Sequence, residues 1–218
     1  MVNSDRERDE PVTDMPKLVG GALGLDFVNT VDPRHAPGRR EYLDSYPALA
    51  AWGRHAGLID AAREERLRQA AADDPAEAGR VLGRAIRLRE AGYSIFARAA
   101  EARPPAPGDL DTLHGELTAA MAHIRVSWSD DGFGWGWDEA RPGLDRVLWP
   151  VTWSAADLLV RGPLERIREC PGAGTCGWLF LDVSKNASRR WCQMSSCGNR
   201  AKARRHYART QVSGTGAD

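Results

Sequence analysis

The chain has 218 residues, 42% of them hydrophobic and 28% charged, and its formal net charge is zero. This composition supports a packed core and excludes a disordered chain, and the length fits one domain with an appendage or two small domains. No apolar run approaches the roughly 20 residues of a membrane span. The charged first residues also lack the apolar core of an export signal, so we expect a cytoplasmic protein.

The net charge of zero conceals an uneven distribution along the chain. Residues 161–210 contain eleven basic and three acidic residues, whereas the remainder contains 19 basic and 27 acidic residues. This asymmetry predicts a basic part that contacts a polyanion and an acidic body that takes no part in that contact.

The first three quarters of the chain follow a helical pattern. We expect a disordered leader over 1–16 and a mainly helical domain over 17–161. The predicted helices are a short buried one over 20–31, one capped by Ser45 that ends at Gly57, one capped by Asp60, a long one from Pro75 to the residues before Pro104, one capped by Asp109, and one from Gly143 that bends or restarts at Pro150.

A change of period marks residues 122–138. The sequence alternates from His123 to Trp128, passes a turn signal over 129–132, and alternates again through Phe133, Trp135 and Trp137. This pattern predicts a β-hairpin. We expect its aromatic face to seal the helical core, because aromatic side chains dominate core burial.

A boundary at 162–163 separates this domain from a cysteine-rich module over 163–210, followed by a disordered tail over 211–218. The module contains every cysteine of the chain, in the order C-x5-C, fifteen residues, C-x4-C: Cys170, Cys176, Cys192 and Cys197. Four thiolates favour one tetrahedral Zn²⁺. A metal would also supply the stability that a module of this size lacks.

Other uses of the cysteines are weaker. Two disulfides conflict with the absence of an export signal, and His206 as a ligand lies nine residues beyond Cys197 on a helix that points away. A catalytic zinc needs an open coordination position, which four cysteines close. We therefore predict one structural zinc, a short strand over 178–182, and a helix that starts near Cys197.

That last helix and the loop before it contain a run of basic residues with no acid between Asp182 and Asp218. A solvated surface is the plain interpretation, but the missing acids leave the repulsion uncompensated and favour contact with nucleic acid. The candidate residues are Arg189, Arg190, Arg200, Lys202, Arg204, Arg205 and Arg209.

Polar residues in the first predicted helix allow two interpretations. Asp26, Asn29, Thr30 and Arg34 could line a pocket for a small-molecule effector, or they could cap and hydrogen-bond their own helix and loop. The sequence has no phosphate-binding glycine loop and no H-E-x-x-H motif, so we predict that the protein is not an enzyme.

The stretch Cys197-Gly198-Asn199-Arg200, with C-G-W-L-F-L-D over 176–182 and N-A-S-R-R-W-C over 186–192, resembles the CGNR zinc-finger family. Members commonly join this finger to an N-terminal domain described as a stress-induced transcription regulator, and G-L-D-F-V-N-T over 24–30 resembles the opening motif of that domain. The resemblance implies that the four cysteines are ligands. The five-residue gap after Cys170 is one longer than the family pattern.

These observations predict a mostly α protein with a small β-hairpin, joined to a finger with a β-hairpin and a basic helix in a knuckle or treble-clef arrangement. The functional hypothesis is a bacterial, zinc-dependent, DNA-binding transcription regulator, and a homodimer would fit the limited specificity of one finger. An RNA binder that stacks bases on Trp178, Trp191 or Tyr207 is an alternative. A module that docks on an acidic protein is another.

Overall fold

The structure, a computed structural model, describes residues 15–130, 132–141, 143–172 and 175–214, and for 208–214 it describes the backbone alone. Within these residues the helices are α1 (Leu23–Val28), α2 (Tyr46–His55), α3 (Ala61–Asp73), α4 (Pro75–Ala100), α5 (Pro107–Met121), α6 (Leu148–Arg161) and α7 (Asn199–Gly214). The antiparallel strand pairs are β1 (Val31–Asp32) with β2 (Arg40–Glu41), β3 (Ile124–Ser129) with β4 (Gly132–Trp137), and β5 (Ile167–Glu169) with β6 (Leu179–Leu181). The predicted class, mostly helical with small sheets, is confirmed.

Side-chain caps start several of the helices where the sequence predicts them. The Ser45 hydroxyl accepts the Ala48 N–H at 3.3 Å, and the Asp60 carboxylate accepts the Arg63 N–H at 2.7 Å. α4 begins at Pro75, the predicted position, because an N–H is not needed in the first turn of a helix.

Three helix boundaries differ from the predicted ones. α1 covers six residues of the expected twelve, since it begins only after Gly20 and Gly21. α5 starts at Pro107, so Asp109 is an acidic residue of the first turn and not its cap. The helix predicted from Gly143 begins at Leu148 instead. Pro150 therefore lies in its first turn, where it causes no bend.

The ends of the chain correspond only in part to the predicted tails. The predicted leader lies outside the described residues except for Met15 and Pro16. The predicted tail is described as far as Gly214, and that part continues helix α7.

The long helix α4 lies at the centre of the fold, in contact with α1, α2, α3, α5 and α6. Its fully buried positions include Val81, Ala85 and Phe96, which recur on one face of the helix as the sequence pattern predicts. Around them a single apolar cluster collects side chains from most of the other helices. This cluster is the main core of the protein.

The hairpin β3–β4 forms where the sequence predicts it, but the prediction that its aromatic face seals the core is wrong. Trp128 is 71% exposed, Phe133 80% and Trp135 67%, whereas Trp137 at the base of the hairpin is only partly buried. Side chains of the helices, Trp52 and Phe96 among them, fill the core. The base of the hairpin packs beside it, where His123 stacks on Trp149 at 3.8 Å.

The cysteine-rich module packs against this core and shares part of it. Ile167 of β5 and Leu179 of β6 have no exposed surface and belong to the main apolar cluster. Strand β6 also contacts α1 and α4. A module too small to form its own core is thus stabilised partly by burial against the helical domain.

Candidate metal centre and basic helix

Four buried sulfur atoms form the centre of the module. Cys170 and Cys176 lie within the loop that joins β5 to β6. In the second ligand loop, Cys192 precedes one π-helical turn, Met194–Gly198, and Cys197 lies within that turn. All four side chains are at most 4% exposed, and their sulfurs lie within 4.8 Å of one another. None of them forms a disulfide.

The sulfur geometry fits a tetrahedral zinc. The Sγ atoms of Cys176 and Cys192 are 3.8 Å apart, and those of Cys192 and Cys197 are 3.7 Å apart. A tetrahedron with Zn–S bonds of about 2.3 Å has edges of about 3.8 Å. The four cysteines are therefore positioned to hold one structural zinc, as the sequence predicts.

The thiols of the cluster change one another's pKa. The hydrogen bond with Cys176 lowers the pKa of Cys170, while the contact with Cys170 and burial raise the pKa of Cys176 and of Cys192. Negative thiolates packed this closely repel one another, so the four thiols cannot all ionise unless a cation lies among them. Backbone N–H groups of Gly172 and Cys192 also approach the Cys170 sulfur, as expected of a ligand loop.

Two glycines of the ligand loops lie against neighbouring side chains. A β-carbon on Gly172, whose φ is +34°, would overlap the β-carbon of Cys176 and lie 3.6 Å from the Cys197 sulfur. A β-carbon on Gly198 would overlap the Met194 sulfur and lie 3.2 Å from the Trp191 ring. Gly172 therefore needs to be glycine for steric and conformational reasons, whereas at Gly198 the flexible Met194 side chain would have to move.

The buried carboxylate of Asp182 shapes the chain between the two ligand loops. It accepts the backbone N–H groups of Ser184 and Arg189, each at 2.9 Å. The hydrogen bonds that Asp182 accepts from Ser184 are the main cause of its lowered pKa. These hydrogen bonds hold residues 182–189 in a compact turn, which places the second ligand loop next to the first.

The predicted nucleic-acid residues fall into different environments. Arg189 is half-buried and donates to the carbonyl oxygens of Val19 at 2.9 Å and Trp191 at 3.1 Å, and also to that of Cys192. Its guanidinium lies 4.4 Å from the centre of the Phe180 ring. Arg189 therefore joins the N-terminal segment to the ligand loops, and its donors are already in use.

Arg200 is tied to the metal centre. Its guanidinium donates to the Cys197 sulfur at 3.2 Å, and this hydrogen bond raises the pKa of Arg200. A cation next to a ligand thiolate offsets part of the negative charge of a four-thiolate site. Arg190, Lys202, Arg204 and Arg205 are exposed, and the side chain of Arg209 lies outside the described part of the chain.

The residues proposed for a small-molecule pocket hold segments of the protein together. Asp26 accepts the Gly20 N–H at 2.7 Å, and Thr30 donates to the carbonyl of Phe27 at 2.8 Å. Arg34 donates to Glu90 at 2.7 Å and to the carbonyl of Val28 at 2.6 Å. The contacts of Asp26 and Thr30 stay within their own segment, as the plainer interpretation predicts, whereas Arg34 also reaches Glu90 of α4.

Asn29 has the most specific role of this set. Its side chain is completely buried; its Nδ2 donates to the Leu179 carbonyl at 2.8 Å, and its Oδ1 accepts the Leu179 N–H at 2.9 Å. One amide thus supplies both backbone partners of a β6 residue, as a neighbouring strand would.

Further contacts between the domain and the finger are not evident from the sequence. The Trp178 indole N–H donates to the Val31 carbonyl at 2.9 Å, and the Arg34 N–H donates to the Cys176 carbonyl at 2.8 Å. His35 lies 2.8 Å from Glu169 of the finger. Gly177, at φ +70°, makes room for the His35 ring, since a β-carbon there would lie 2.5 Å from it. Only the glycine within C-G-W hints at this close approach.

None of the helices in the described part of the chain is long and apolar enough to cross a membrane. Residues 21–162 match the ABATE family, described as a putative stress-induced transcription regulator, and residues 166–210 match the CGNR zinc finger. No curated protein matches the chain. Because the first match covers more than half of the sequence, the chain belongs to the ABATE family and carries a CGNR zinc finger after its ABATE domain.

Proposed function

We propose that this zinc-binding protein is a transcription regulator that contacts DNA through helix α7. The observation that carries the proposal is the set of exposed basic side chains Lys202, Arg204 and Arg205 on a helix whose first residue follows the Cys197 turn directly. The metal centre fixes the start of the helix, so the three cations are presented from a rigid base.

The charge pattern of α7 supports a polyanionic partner. In the described part of the chain no carboxylate forms an ion pair with Lys202, Arg204 or Arg205, and the sequence has no acid from Val183 to Ala217. Lys202 and Arg205 are three residues apart, and like charges at this spacing repel one another and destabilise an isolated helix. Phosphate groups would remove this cost and release condensed counterions.

The dimensions of α7 also suit duplex DNA. A helix of 16 residues is about 24 Å long, and the major groove admits one α-helix. Lysine and arginine would then neutralise phosphates along the groove, and an arginine that reaches a guanine edge would add sequence preference.

The RNA alternative loses part of its support. Trp178 is 8% exposed and its indole N–H is already bonded, and Trp191 packs against the metal cluster. Of the three aromatics proposed to stack on bases, Tyr207 alone is largely exposed, at 68%. Stacking on single strands normally uses several such platforms.

The test is the salt dependence of DNA binding by the zinc-loaded full chain. Replacing Lys202, Arg204 and Arg205 together with alanine should weaken binding to random-sequence duplex and reduce the slope of log K against log salt by about 2–3, because about 0.9 counterion is released per phosphate contact. Fluorescence anisotropy with labelled duplex at several salt concentrations measures both quantities.

The matched control removes three exposed arginines from the ABATE domain, Arg39, Arg66 and Arg87. Both triple variants lose the same charge, so a general electrostatic effect would change both slopes equally. An unchanged slope in the α7 variant contradicts the proposal, as does a clear preference of the wild-type chain for single-stranded RNA. Circular dichroism and zinc content show whether each variant is folded and metal-loaded.

A further inference from the structure

The two faces of the β3–β4 hairpin have opposite chemistry. On one face Val126 lies opposite Trp135, and Trp128 lies opposite Phe133. These four side chains are 64–80% exposed. Residues of the other face have glycine partners, since Ser127, for example, lies opposite Gly134. The hairpin therefore presents an uncharged apolar face, which we call the aromatic face (Val126, Trp128, Phe133 and Trp135), to the outside of the protein.

The rest of the described chain covers only the base of this hairpin. Trp135 meets Trp153 of α6 at a ring distance of 6.3 Å, and Trp137 meets Trp149 at 6.2 Å. Towards the tip, Trp128 and Phe133 contact each other edge to face at 4.8 Å. A two-stranded hairpin is marginally stable by itself in water, and contiguous exposed apolar surface of this kind marks an interaction site.

The charge of the hairpin argues against a polyanionic partner for this face. The turn at its tip reads Ser129-Asp130-Asp131-Gly132, and Asp130 is exposed. Acidic side chains at the tip would repel both nucleic acid and an anionic membrane surface. The basic residues proposed to contact DNA lie on a different element, α7, so the two surfaces have different partners.

We propose that the aromatic face binds the aromatic face of a second copy of this chain, forming a two-fold symmetric dimer. A two-fold interface joins one patch to itself and must be self-complementary. An uncharged, continuous apolar face meets that condition, because no like charges are brought together. Trp is also among the residues that contribute most to binding energy at interfaces.

The area of the aromatic face is sufficient for a weak dimer. At roughly 150–250 Å² per aromatic side chain, its residues would bury on the order of 500 Å² per copy, or about 1,000 Å² for the pair. That value is near the lower limit for a specific interface. We therefore expect a dissociation constant in the micromolar range. Additional contacts between the ABATE domains of the two copies would lower it.

The acidic tips fix the relative direction of the two hairpins. A parallel arrangement would bring the two Asp130 carboxylates together, which like-charge repulsion disfavours. An antiparallel arrangement keeps the two acidic tips apart, at opposite ends of the interface. The dimer is consequently expected to be antiparallel.

Sedimentation velocity of the zinc-loaded full chain without DNA tests this proposal independently of the DNA-binding proposal. The wild type should shift from monomer to dimer between about 1 and 100 µM. The triple variant Trp128→Thr, Phe133→Thr and Trp135→Thr retains β-forming side chains and should bind itself at least about 30-fold more weakly, because each lost aromatic removes a central contact.

The control variant carries Val160→Ser and Val183→Ser, which remove apolar side chains that are 83% and 75% exposed elsewhere. It should dimerise like the wild type. A wild-type chain that stays monomeric at the highest concentration overturns the proposal, and so does a triple variant that is still dimeric. If threonine unfolds the hairpin, the single variant Phe133→Lys, which places a charge in the proposed interface, provides the same test.

Discussion

Two adjacent arginines, Arg189 and Arg190, have the same charge and opposite environments. Arg189 is half-buried and its planar guanidinium donates to carbonyl oxygens on two separate segments, at Val19 and at Trp191–Cys192, whereas Arg190 is exposed, 5.8 Å from the Trp191 ring. Lysine cannot reproduce this fork of donors, because its ammonium group is a single point. The side chain of Arg189 is therefore a structural link and that of Arg190 is available to a ligand.

The variant Arg189→Lys should lower the free energy of unfolding by about 2–4 kcal/mol, since buried carbonyl oxygens lose their donors and the contact with Phe180 is lost. Arg190→Lys is the matched control and should change stability by less than about 0.5 kcal/mol. Urea denaturation followed by circular dichroism measures both values. Equal effects of the two substitutions would contradict the assigned role of Arg189.

Charge alone predicted both arginines as phosphate contacts, and it could not separate them. The partner that distinguishes Arg189 is the carbonyl of Val19, 170 positions away in the sequence. A local pattern of basic residues carries no information about a backbone acceptor so distant. The four cysteines were predictable from sequence because their spacing and chemistry alone specify a metal site.

At the scale of elements, the hairpin shows what periodicity does and does not determine. The alternation and the turn signal predicted both strands and the position of the turn between them. They could not reveal whether the aromatic face points to the core or to solvent, because an alternating pattern shows only that the two faces of a strand differ. The helices had already filled the core, so the face predicted to be buried is exposed.

Replacing two glycines of different elements with alanine should change stability in opposite directions. Gly177→Ala should destabilise the protein by about 1–3 kcal/mol, because its φ of +70° strains an L-residue and its β-carbon would meet the His35 ring. Gly115→Ala lies within α5, where nothing described approaches the new methyl group, and it should stabilise by about 0.5–1 kcal/mol.

Thermal unfolding monitored by circular dichroism gives the sign of each change, and the zinc content shows whether the metal is retained. A stabilising Gly177→Ala would mean that the finger does not approach the ABATE domain at His35. In that case the close contact between the two parts of the chain would need another explanation.

At the scale of the whole molecule, the two family regions share one structure. Ile167 and Leu179 of the finger lie in the core of the ABATE domain, and Asp182 of the finger organises the turn that leads to the ligand loops. The sequence predicted a boundary near residue 162, but it could not show the extent of the shared surface. Most of the polar links across that surface end on a backbone atom, which no sequence pattern marks.

This arrangement predicts that the ABATE domain and the finger unfold together. Asn29 satisfies both backbone groups of the buried Leu179, so Asn29→Ala should leave a buried donor and a buried acceptor without partners and cost about 2–4 kcal/mol. Asn186→Ala, at an exposed loop position, is the control and should be nearly neutral.

In the wild type, the loss of helical circular dichroism and the release of zinc to a chromogenic chelator should follow one denaturation curve, because the metal binds only the folded finger and the finger shares its core with the helices. Asn29→Ala should move both curves to lower denaturant by the same amount. Zinc release that clearly precedes helix loss in the wild type would show that the finger opens by itself, and the contacts at Asn29 would then be too weak to couple α7 to the ABATE domain.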